Sequence, residues 1–217
     1  MPKFECAAIL FDMDGVLVDS TPAVARAWRR WAQRVGVDPE PVIQGAHGRR
    51  TPETIAEFAP WLNAEEEAWR IENEEEKDLE GVEVIPGAPA LLRSLPEEQW
   101  GVVTSASRTM AISRLRDTGL ILPSVLVSAD DVAHGKPHPE PYLKGAAGLG
   151  IPAGECLVFE DSPAGIRAAC AAGMRVIALR TTFPPEALGD AQEMIGNFTD
   201  IRVERNGSGN LEIEVTG

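Results

Sequence analysis

The chain is poor in cysteine, and its cysteines follow neither a disulfide nor a metal-binding pattern. Cys6, Cys156 and Cys170 are the three present in 217 residues, an odd number without a Cys-x-x-Cys pair. Cys6 and Cys156 open apolar runs, where a small buried residue suits a strand. We therefore expect structural thiols and a reducing, cytoplasmic location rather than a disulfide framework.

Long hydrophobic runs are also missing. The sequence has no stretch of 18 apolar residues, and residues 1–5 lack the charged-then-apolar layout of a signal peptide. No membrane-spanning segment is expected. With 44% hydrophobic residues, the 217-residue chain still has enough apolar side chains for a buried core. It fits one large domain, or a core domain that carries a smaller insert.

Basic residues are outnumbered by acidic ones. The 20 Lys and Arg residues face 34 Asp and Glu residues, which gives a net charge of −14 at pH 7. Nucleic acids and anionic membranes bind proteins through positive surfaces, so this balance disfavours both as partners. We expect a small-molecule partner and, by default, a monomer. An anionic substrate must be captured by local positive groups, against the overall field.

An apolar run near the N-terminus ends in two acids and a glycine. Residues 6–11 read Cys-Ala-Ala-Ile-Leu-Phe, and Asp12-Met13-Asp14-Gly15 follows. Alternate residues of a strand share a face, so Asp12 and Asp14 should emerge together where the strand ends. Two carboxylates without a counter-ion would repel each other and resist desolvation. The motif therefore predicts a hard divalent cation such as Mg²⁺ between them.

Alternating apolar runs and helical patterns predict an α/β fold with a doubly wound parallel sheet, whose ligands bind at the carboxyl ends of the strands. The gap between the first two strands is much longer than a crossover needs. We therefore expect an all-helical insert at residues 21–85, between core segments 1–20 and 86–217. The predicted strands are 7–11, 101–104, 124–127, 156–159 and 176–179, and the later helices lie near 110–118, 140–149 and 164–172.

Threonine–proline pairs mark two helix starts in the insert, at Thr21 and Thr51. A third helix is predicted over residues 64–80, where a run of glutamates indicates a solvated face. Residues 19–21 are expected to cap the first helix rather than to react. Residues 200–215 alternate polar and apolar side chains and predict a hairpin. Four tryptophans are expected to pack the insert's own core: Trp28, Trp31, Trp61 and Trp69.

Polar residues also follow the later strands, at the same expected edge of the sheet. Residues 104–107 read Thr-Ser-Ala-Ser before a helix, which suits either an anion site or a simple helix cap. Lys136 stands between a glycine and a proline, which present it rigidly. Glu160 and Asp161 follow an apolar strand, and acids in such a crevice need a cation nearby. Each signal is weak alone, but together they predict one cation-dependent site for an anion.

These motifs resemble those of the haloacid-dehalogenase-like (HAD) hydrolases, and the resemblance spans nearly the whole chain. Residues 11–17 look like the first signature of that superfamily, and the helical insert resembles its first type of cap domain. The second, third and fourth signatures resemble Thr104-Ser105, Lys136 and Glu160-Asp161. Three further segments are similar to the branch that dephosphorylates glycerol phosphate, 2-deoxyglucose 6-phosphate and other sugar phosphates: residues 47–51, 135–142 and 159–165.

The resemblance implies a Mg²⁺-dependent phosphomonoesterase that acts on small phosphorylated sugars or polyols through an aspartyl phosphate on Asp12. Asp14 would serve as general acid and base, and Lys136 would offset negative charge. The Mg²⁺ ion would be bound by the carboxylates of Asp12 and Asp161 and by the backbone carbonyl of Asp14. Glu160 would either bind the ion through water or hold the geometry.

The resemblance also assigns the substrate contacts. Phosphate would be held by Thr104, Ser105, Ala106 and Lys136, and either Thr104 or Ser105 aligns with the second signature. A glycine-flanked loop in the cap should contact substrate on closure, through His47, Gly48, Arg49 and Arg50. Ordinary salt bridges to the acidic cap helix are the alternative for its arginines.

Three rival functions remain to be separated. A phosphosugar mutase of the β-phosphoglucomutase type shares both aspartates, but it carries a histidine in the first cap helix where this chain has Val24. A dehalogenase lacks the second aspartate, so Asp14 argues against that chemistry. A catalytically idle binding module of the same fold is disfavoured because every expected catalytic residue type is present.

Overall fold

The computed structural model describes residues 2–216. The strands are β1 (Lys3–Cys6), β2 (Ala8–Phe11), β3 (Val18–Asp19), β4 (Glu83–Val84), β5 (Trp100–Val103), β6 (Leu126–Val127), β7 (Cys156–Glu160), β8 (Arg175–Leu179), β9 (Glu193–Ile195), β10 (Ile201–Arg205) and β11 (Leu211–Val215). The α-helices are α1 (Thr21–Val35), α2 (Pro39–Ala46), α3 (Thr51–Phe58), α4 (Ala64–Glu75), α5 (Ala88–Ser94), α6 (Arg108–Asp117), α7 (Glu140–Leu149) and α8 (Pro163–Ala171).

The main sheet has six parallel strands in the order β6-β5-β2-β7-β8-β9. Alternate residues of β2 enter different cores: Phe11 packs with residues of α5 and α6, and Leu10 packs with residues of α7 and α8. Helices therefore cover both faces of the sheet, as in other doubly wound folds. The predicted α/β fold is confirmed.

The register of the three central strands brings their carboxyl ends level with one another. Phe11, the last residue of β2, pairs with Val102 of β5 and with Phe159 of β7. The backbone N–H of Asp12 still donates to the carbonyl of Phe159 at 3.0 Å. Residues that follow these three strands consequently emerge at one edge of the sheet, which is where ligands bind in such folds.

The four helices between β3 and β4 pack around an apolar cluster of their own, which includes Trp31, Ile55 and Ile71. The chain leaves and re-enters the sheet region through a short antiparallel ribbon, in which Val18 pairs with Val84. Because the chain leaves and returns at adjacent positions, the helical unit lies at the carboxyl edge of the sheet without interrupting the sheet.

Two of the four tryptophan predictions are wrong. Trp28 and Trp31 are buried in the helical unit, but the exposed fractions of Trp61 and Trp69 are 65% and 68%. The inner face of α4 is formed by residues 67, 68, 71 and 75, which places Trp69 on the opposite side. Trp61 lies in the turn between α3 and α4. Aromatic character alone therefore did not predict burial.

The C-terminal hairpin forms as predicted, with β10 and β11 antiparallel, but β1 joins it to make a separate three-stranded sheet. Helices α2 and α5 and the edge strand β9 were not predicted from the sequence. Over residues 2–216, no helix combines the length and apolar character that a bilayer crossing demands.

Candidate active site

A buried lysine joins two acids at the carboxyl edge of the sheet. Lys136 Nζ lies 3.0 Å from Asp12 Oδ1 and 2.7 Å from Glu160 Oε1, and it donates to the carbonyl of Val103 at 3.1 Å. Asp161 completes the cluster, because ligand atoms of Asp12, Glu160 and Asp161 all lie within 4.8 Å of one another. These four side chains are almost completely buried.

Glu160 is held by hydrogen bonds to both of its carboxylate oxygens. Oε1 accepts from Lys136 and from the hydroxyl of Tyr142, and Oε2 accepts from the backbone N–H groups of residues 161 and 162 and from the hydroxyl of Ser162. A carboxylate so occupied fixes its neighbours in place. Of the two roles left open for Glu160, the geometry favours holding the cluster.

The charges of this cluster fit a divalent cation. Burial raises the pKa of Asp12 to about 7 against the lowering effect of Lys136. Burial, Glu160 and Asp12 raise the pKa of Asp161 well above its ordinary value. Burial alone would lower the pKa of Lys136, but the two acids that it contacts raise it. Three carboxylates against one ammonium leave an excess of two negative charges, and oxygen ligands suit Mg²⁺.

Asp14 lies beside the cluster and is held by two donors that the sequence did not reveal as partners. Its Oδ1 accepts from the hydroxyl of Ser20 and from Arg114 Nη1, each at 2.6 Å. Ser20 was expected only to cap α1, but its side chain makes no capping hydrogen bond. Arg114 also donates to Glu75 Oε2 at 2.8 Å, and burial raises the pKa of Glu75 to about 7.

The segment after β5 lines the cavity through Thr104, Ser105 and Ala106. The hydroxyl of Thr104 accepts from the backbone N–H of Ala106 at 3.1 Å, within its own turn. The hydroxyl of Ser105 instead donates to the carbonyl of Gly48 at 3.0 Å, in the loop between α2 and α3. Ser105 therefore presents its hydroxyl toward the helical unit, where a ligand would enter.

The loop between α2 and α3 divides its side chains between the cavity and the surrounding protein. His47 and Arg49 line the cavity; burial lowers the pKa of His47, and Arg49 pairs with Glu57 at 2.6 Å. Arg50 lies outside the cavity: its Nε donates to Glu53 Oε1 at 2.7 Å, and its Nη1 and Nη2 donate to the carbonyls of Val132 and Ala133 at 3.4 and 3.3 Å. For Arg50 the structure favours a docking contact over a contact with substrate.

One small cavity lies between the helical unit and the edge of the sheet. It measures about 60 Å³ and is lined by Asp12, Asp14 and Asp161 from below and by residues of α1, α4 and the α2–α3 loop from above. Sites that enclose drug-sized ligands measure about 300–1,000 Å³. The helical unit therefore closes the site to a ligand of that size.

The site thus combines a buried aspartate–lysine pair with an acid cluster at the carboxyl edge of a doubly wound sheet, and a helical unit covers it. The chain belongs to the haloacid dehalogenase-like hydrolases, since the model of that family matches residues 6–173. The family expected from the signatures at Asp12, Lys136 and Glu160 is thereby confirmed.

Three relatives cover nearly all of the chain. Hexitol phosphatase A of Escherichia coli (strain K12) is 38% identical over an alignment of 214 positions, which covers 96% of this chain and 99% of that protein. Glycerol-1-phosphate phosphohydrolase 2 of Saccharomyces cerevisiae is 42% identical over an alignment of 214 positions, which covers 90% of this chain and 84% of that protein. The 2-deoxyglucose-6-phosphate phosphatase 2 of the same yeast is 32% identical over an alignment of 241 positions, gaps included, which covers 99% of this chain and 97% of that protein.

A similar fold occurs in the crystal structure of a β-phosphoglucomutase from Clostridium difficile. Its TM-score is 0.80, and the match covers 91% of this chain and 93% of the mutase chain. At 22% sequence identity, this similarity shows a shared fold and does not separate phosphatase from mutase chemistry.

Proposed function

We propose that the chain is a Mg²⁺-dependent phosphomonoesterase that hydrolyses phosphate esters of small sugars or polyols through an aspartyl phosphate on Asp12. The observation that carries this proposal is the contact between Lys136 Nζ and Asp12 Oδ1 at 3.0 Å, beside Asp161. The names of the relatives, all phosphatases of polyol or sugar phosphates, support the substrate class.

The residues divide the work of phosphoryl transfer among them. Asp12 attacks phosphorus and breaks the bond to the ester oxygen, while Lys136 offsets the charge of nucleophile and phosphoryl group. Ser105, Thr104 and the N–H of Ala106 hold phosphoryl oxygens. A bound Mg²⁺, held by the carboxylates of Asp12 and Asp161 and the carbonyl of Asp14, would neutralise charge on those oxygens.

Asp14 supplies and recovers the proton. As general acid it protonates the leaving alkoxide, and as general base it then takes a proton from the water that cleaves the aspartyl phosphate. Both hydrogen bonds to its carboxylate fall on Oδ1, from Ser20 and Arg114. They orient the carboxylate, so that Oδ2 remains for the ester oxygen and then for water.

The domain organisation follows from this function. Residues 21–85 are proposed as a cap domain over a core of residues 1–20 and 86–217. Substrate entry requires the cap to open, and closure excludes water from the reacting groups. His47 and Arg49, which line the closed cavity, are proposed to contact the substrate.

The proposal is tested by measuring phosphate release from sugar, polyol and nucleotide monophosphates, with Mg²⁺ and with a chelator. We expect release from polyol and sugar phosphates with Mg²⁺ only. A sugar 1-phosphate that is isomerised in the presence of a bisphosphate activator, without free phosphate, would instead identify a mutase. Failure to release phosphate from every ester would contradict the proposed function.

A further inference from the structure

One glutamate of the acidic helix α4 faces the site instead of solvent. The exposed fraction of Glu75 is 7%, whereas its neighbour Glu74 is exposed and pairs with Arg30. Glu75 lines the same cavity as Asp12 and Asp14. The run of glutamates was expected to be a solvated face, and for Glu75 that expectation is wrong. A buried carboxylate requires a partner or a ligand.

Arg114 fixes the place of Glu75 relative to the reacting groups. Its Nη2 donates to Glu75 Oε2 at 2.8 Å, and its Nη1 donates to Asp14 Oδ1 at 2.6 Å. The two carboxylates therefore lie on either side of one guanidinium. If Asp14 meets the ester oxygen, then Glu75 lies within reach of a substituent two or three carbons along the alcohol.

Among residues 2–216, protein donors form a hydrogen bond with only one of the two carboxylate oxygens of Glu75. Within the described part of the chain, its one side-chain hydrogen bond falls on Oε2, and a carboxylate has about four acceptor positions. Oε1 is not among the fully buried side-chain atoms that lack a partner, so it remains accessible from the cavity that Glu75 lines. It can therefore accept a hydrogen bond from a donor in the cavity, either water or a substrate group.

The charges around this position select the kind of donor. Asp14 and Glu75 together exceed Arg114 by one negative charge, which disfavours a second phosphate or a carboxylate on the substrate. A neutral hydroxyl can donate to Glu75 without that cost. The apolar side chains of Val24 and Met110, which also line the cavity, suit the carbon chain that bears it.

We propose that Glu75 is a specificity-determining residue that accepts a hydrogen bond from a hydroxyl of the alcohol half of the substrate, with Arg114 holding it in position. This inference rests on the proposed phosphatase function. It assigns the substrate class as phosphate monoesters of short polyols, with a free hydroxyl two or three carbons from the ester oxygen.

The first test uses the unaltered enzyme and two esters of equal length, glycerol 3-phosphate and propyl phosphate. They differ in the free hydroxyls alone. A site built to bind a hydroxyl rejects an analogue without one, so kcat/KM should be higher for glycerol 3-phosphate by about 10²-fold or more. Values within about threefold of each other would overturn the assignment of Glu75, even though they would leave the phosphatase function intact.

The second test compares Glu75→Leu with Glu74→Leu, which removes the same charge at the exposed neighbouring position. Glu75→Leu should lower kcat/KM for glycerol 3-phosphate by about 10–100-fold and change propyl phosphate little. Glu74→Leu should leave both values near those of the parent. An equal fall on both esters, or no fall on glycerol 3-phosphate, would overturn the proposal. If Glu75→Leu does not fold, equal values of kcat/KM for the two esters with the parent enzyme would still overturn the proposal.

A parent enzyme that releases phosphate from neither ester, nor from any sugar phosphate, removes the proposed function and the role of Glu75 with it. A parent enzyme that hydrolyses both esters equally removes only the role of Glu75.

Discussion

Lys136 offsets part of the negative charge of the candidate site and makes three contacts there. It touches Asp12, Glu160 and the carbonyl of Val103, and it is buried to 1% exposure. Because Glu160 is also anchored by Tyr142 and by its own strand end, Lys136 has little freedom to move. Asp12, the proposed nucleophile, is thus held by rigid neighbours, which would lower the cost of orientation during reaction.

Replacement of Asp12 tests its proposed role as the nucleophile. Asp12→Asn should lower kcat by about 10⁴-fold or more, because an amide cannot form the aspartyl phosphate. The near-isosteric side chain and the remaining Lys136–Glu160 pair should preserve the fold. Phosphate release and thermal melting monitored by circular dichroism measure the two effects.

Asp14→Asn provides the matched comparison for that variant. It should also be severely impaired, by about 10²–10⁴-fold, because the proton carrier is lost. It should nevertheless bind Mg²⁺ in calorimetric titration, since the backbone carbonyl of residue 14 remains. If Asp12→Asn retained most of the activity, the assignment of Asp12 as the nucleophile would be wrong.

Residues that directly follow strands could be predicted from the sequence, and residues on helices could not. Asp12, Glu160 and Asp161 come at the ends of apolar runs, so their meeting at one edge follows from sheet geometry. Glu75 belongs to a run of similar glutamates, and the pattern does not show which of them faces inward. Arg114 lies on α6, whose weakly amphipathic sequence gives no sign that an arginine is buried.

Among the secondary-structure elements and their connections, the loop between α2 and α3 docks the helical unit onto the core. Gly48 has φ +76°, and a Cβ at this position would overlap the side chain of Ser162. The carbonyl of Gly48 accepts a hydrogen bond from the hydroxyl of Ser105. Arg50 donates to the carbonyls of Val132 and Ala133, in the segment that precedes Lys136. The contact between the two units therefore depends on a glycine that lets the backbone of the loop approach the side chain of Ser162.

Gly48→Ala should lower kcat/KM by about 10²-fold, because the added methyl displaces the docking loop from the closed position. Gly36→Ala is the matched control: Gly36 also has a positive φ, +80°, but nothing lies within 4 Å of an added Cβ. That variant should lose about 1 kcal/mol of stability and keep its kinetics. Steady-state kinetics and thermal melts of both variants measure the contrast, and equal kinetic losses would contradict the docking role.

The elements predicted correctly are those with strong local patterns. Buried parallel strands read as continuous apolar runs, and the tail hairpin reads as alternation around a glycine-rich turn. Strand β9 has three residues and α5 has seven, so neither offers enough periods to be recognised. The pairing of β1 with β11 joins opposite ends of the chain, and no local pattern reveals such a contact.

For the whole molecule, the net charge of −14 should act in opposite ways on the two proposed ligands. A phosphate ester would approach against the field of the protein, whereas Mg²⁺ would be attracted by it. Salt screens these long-range interactions but has less effect on buried pairs such as Lys136 with Asp12. Added salt should therefore favour the binding of the ester and weaken the binding of Mg²⁺.

Raising the ionic strength from 0.1 to 1 M shortens the screening length from about 10 Å to about 3 Å. At saturating Mg²⁺, kcat/KM for the ester should rise roughly twofold to fivefold, because the repulsion on approach is screened. At saturating ester, the Mg²⁺ concentration for half activation should also rise, because the attraction is screened. Thermal melts at each salt concentration check that the fold is unchanged. A salt series in which both ligands bind more weakly would indicate competition by ions at the site, and the field of the whole protein would then be too weak to matter.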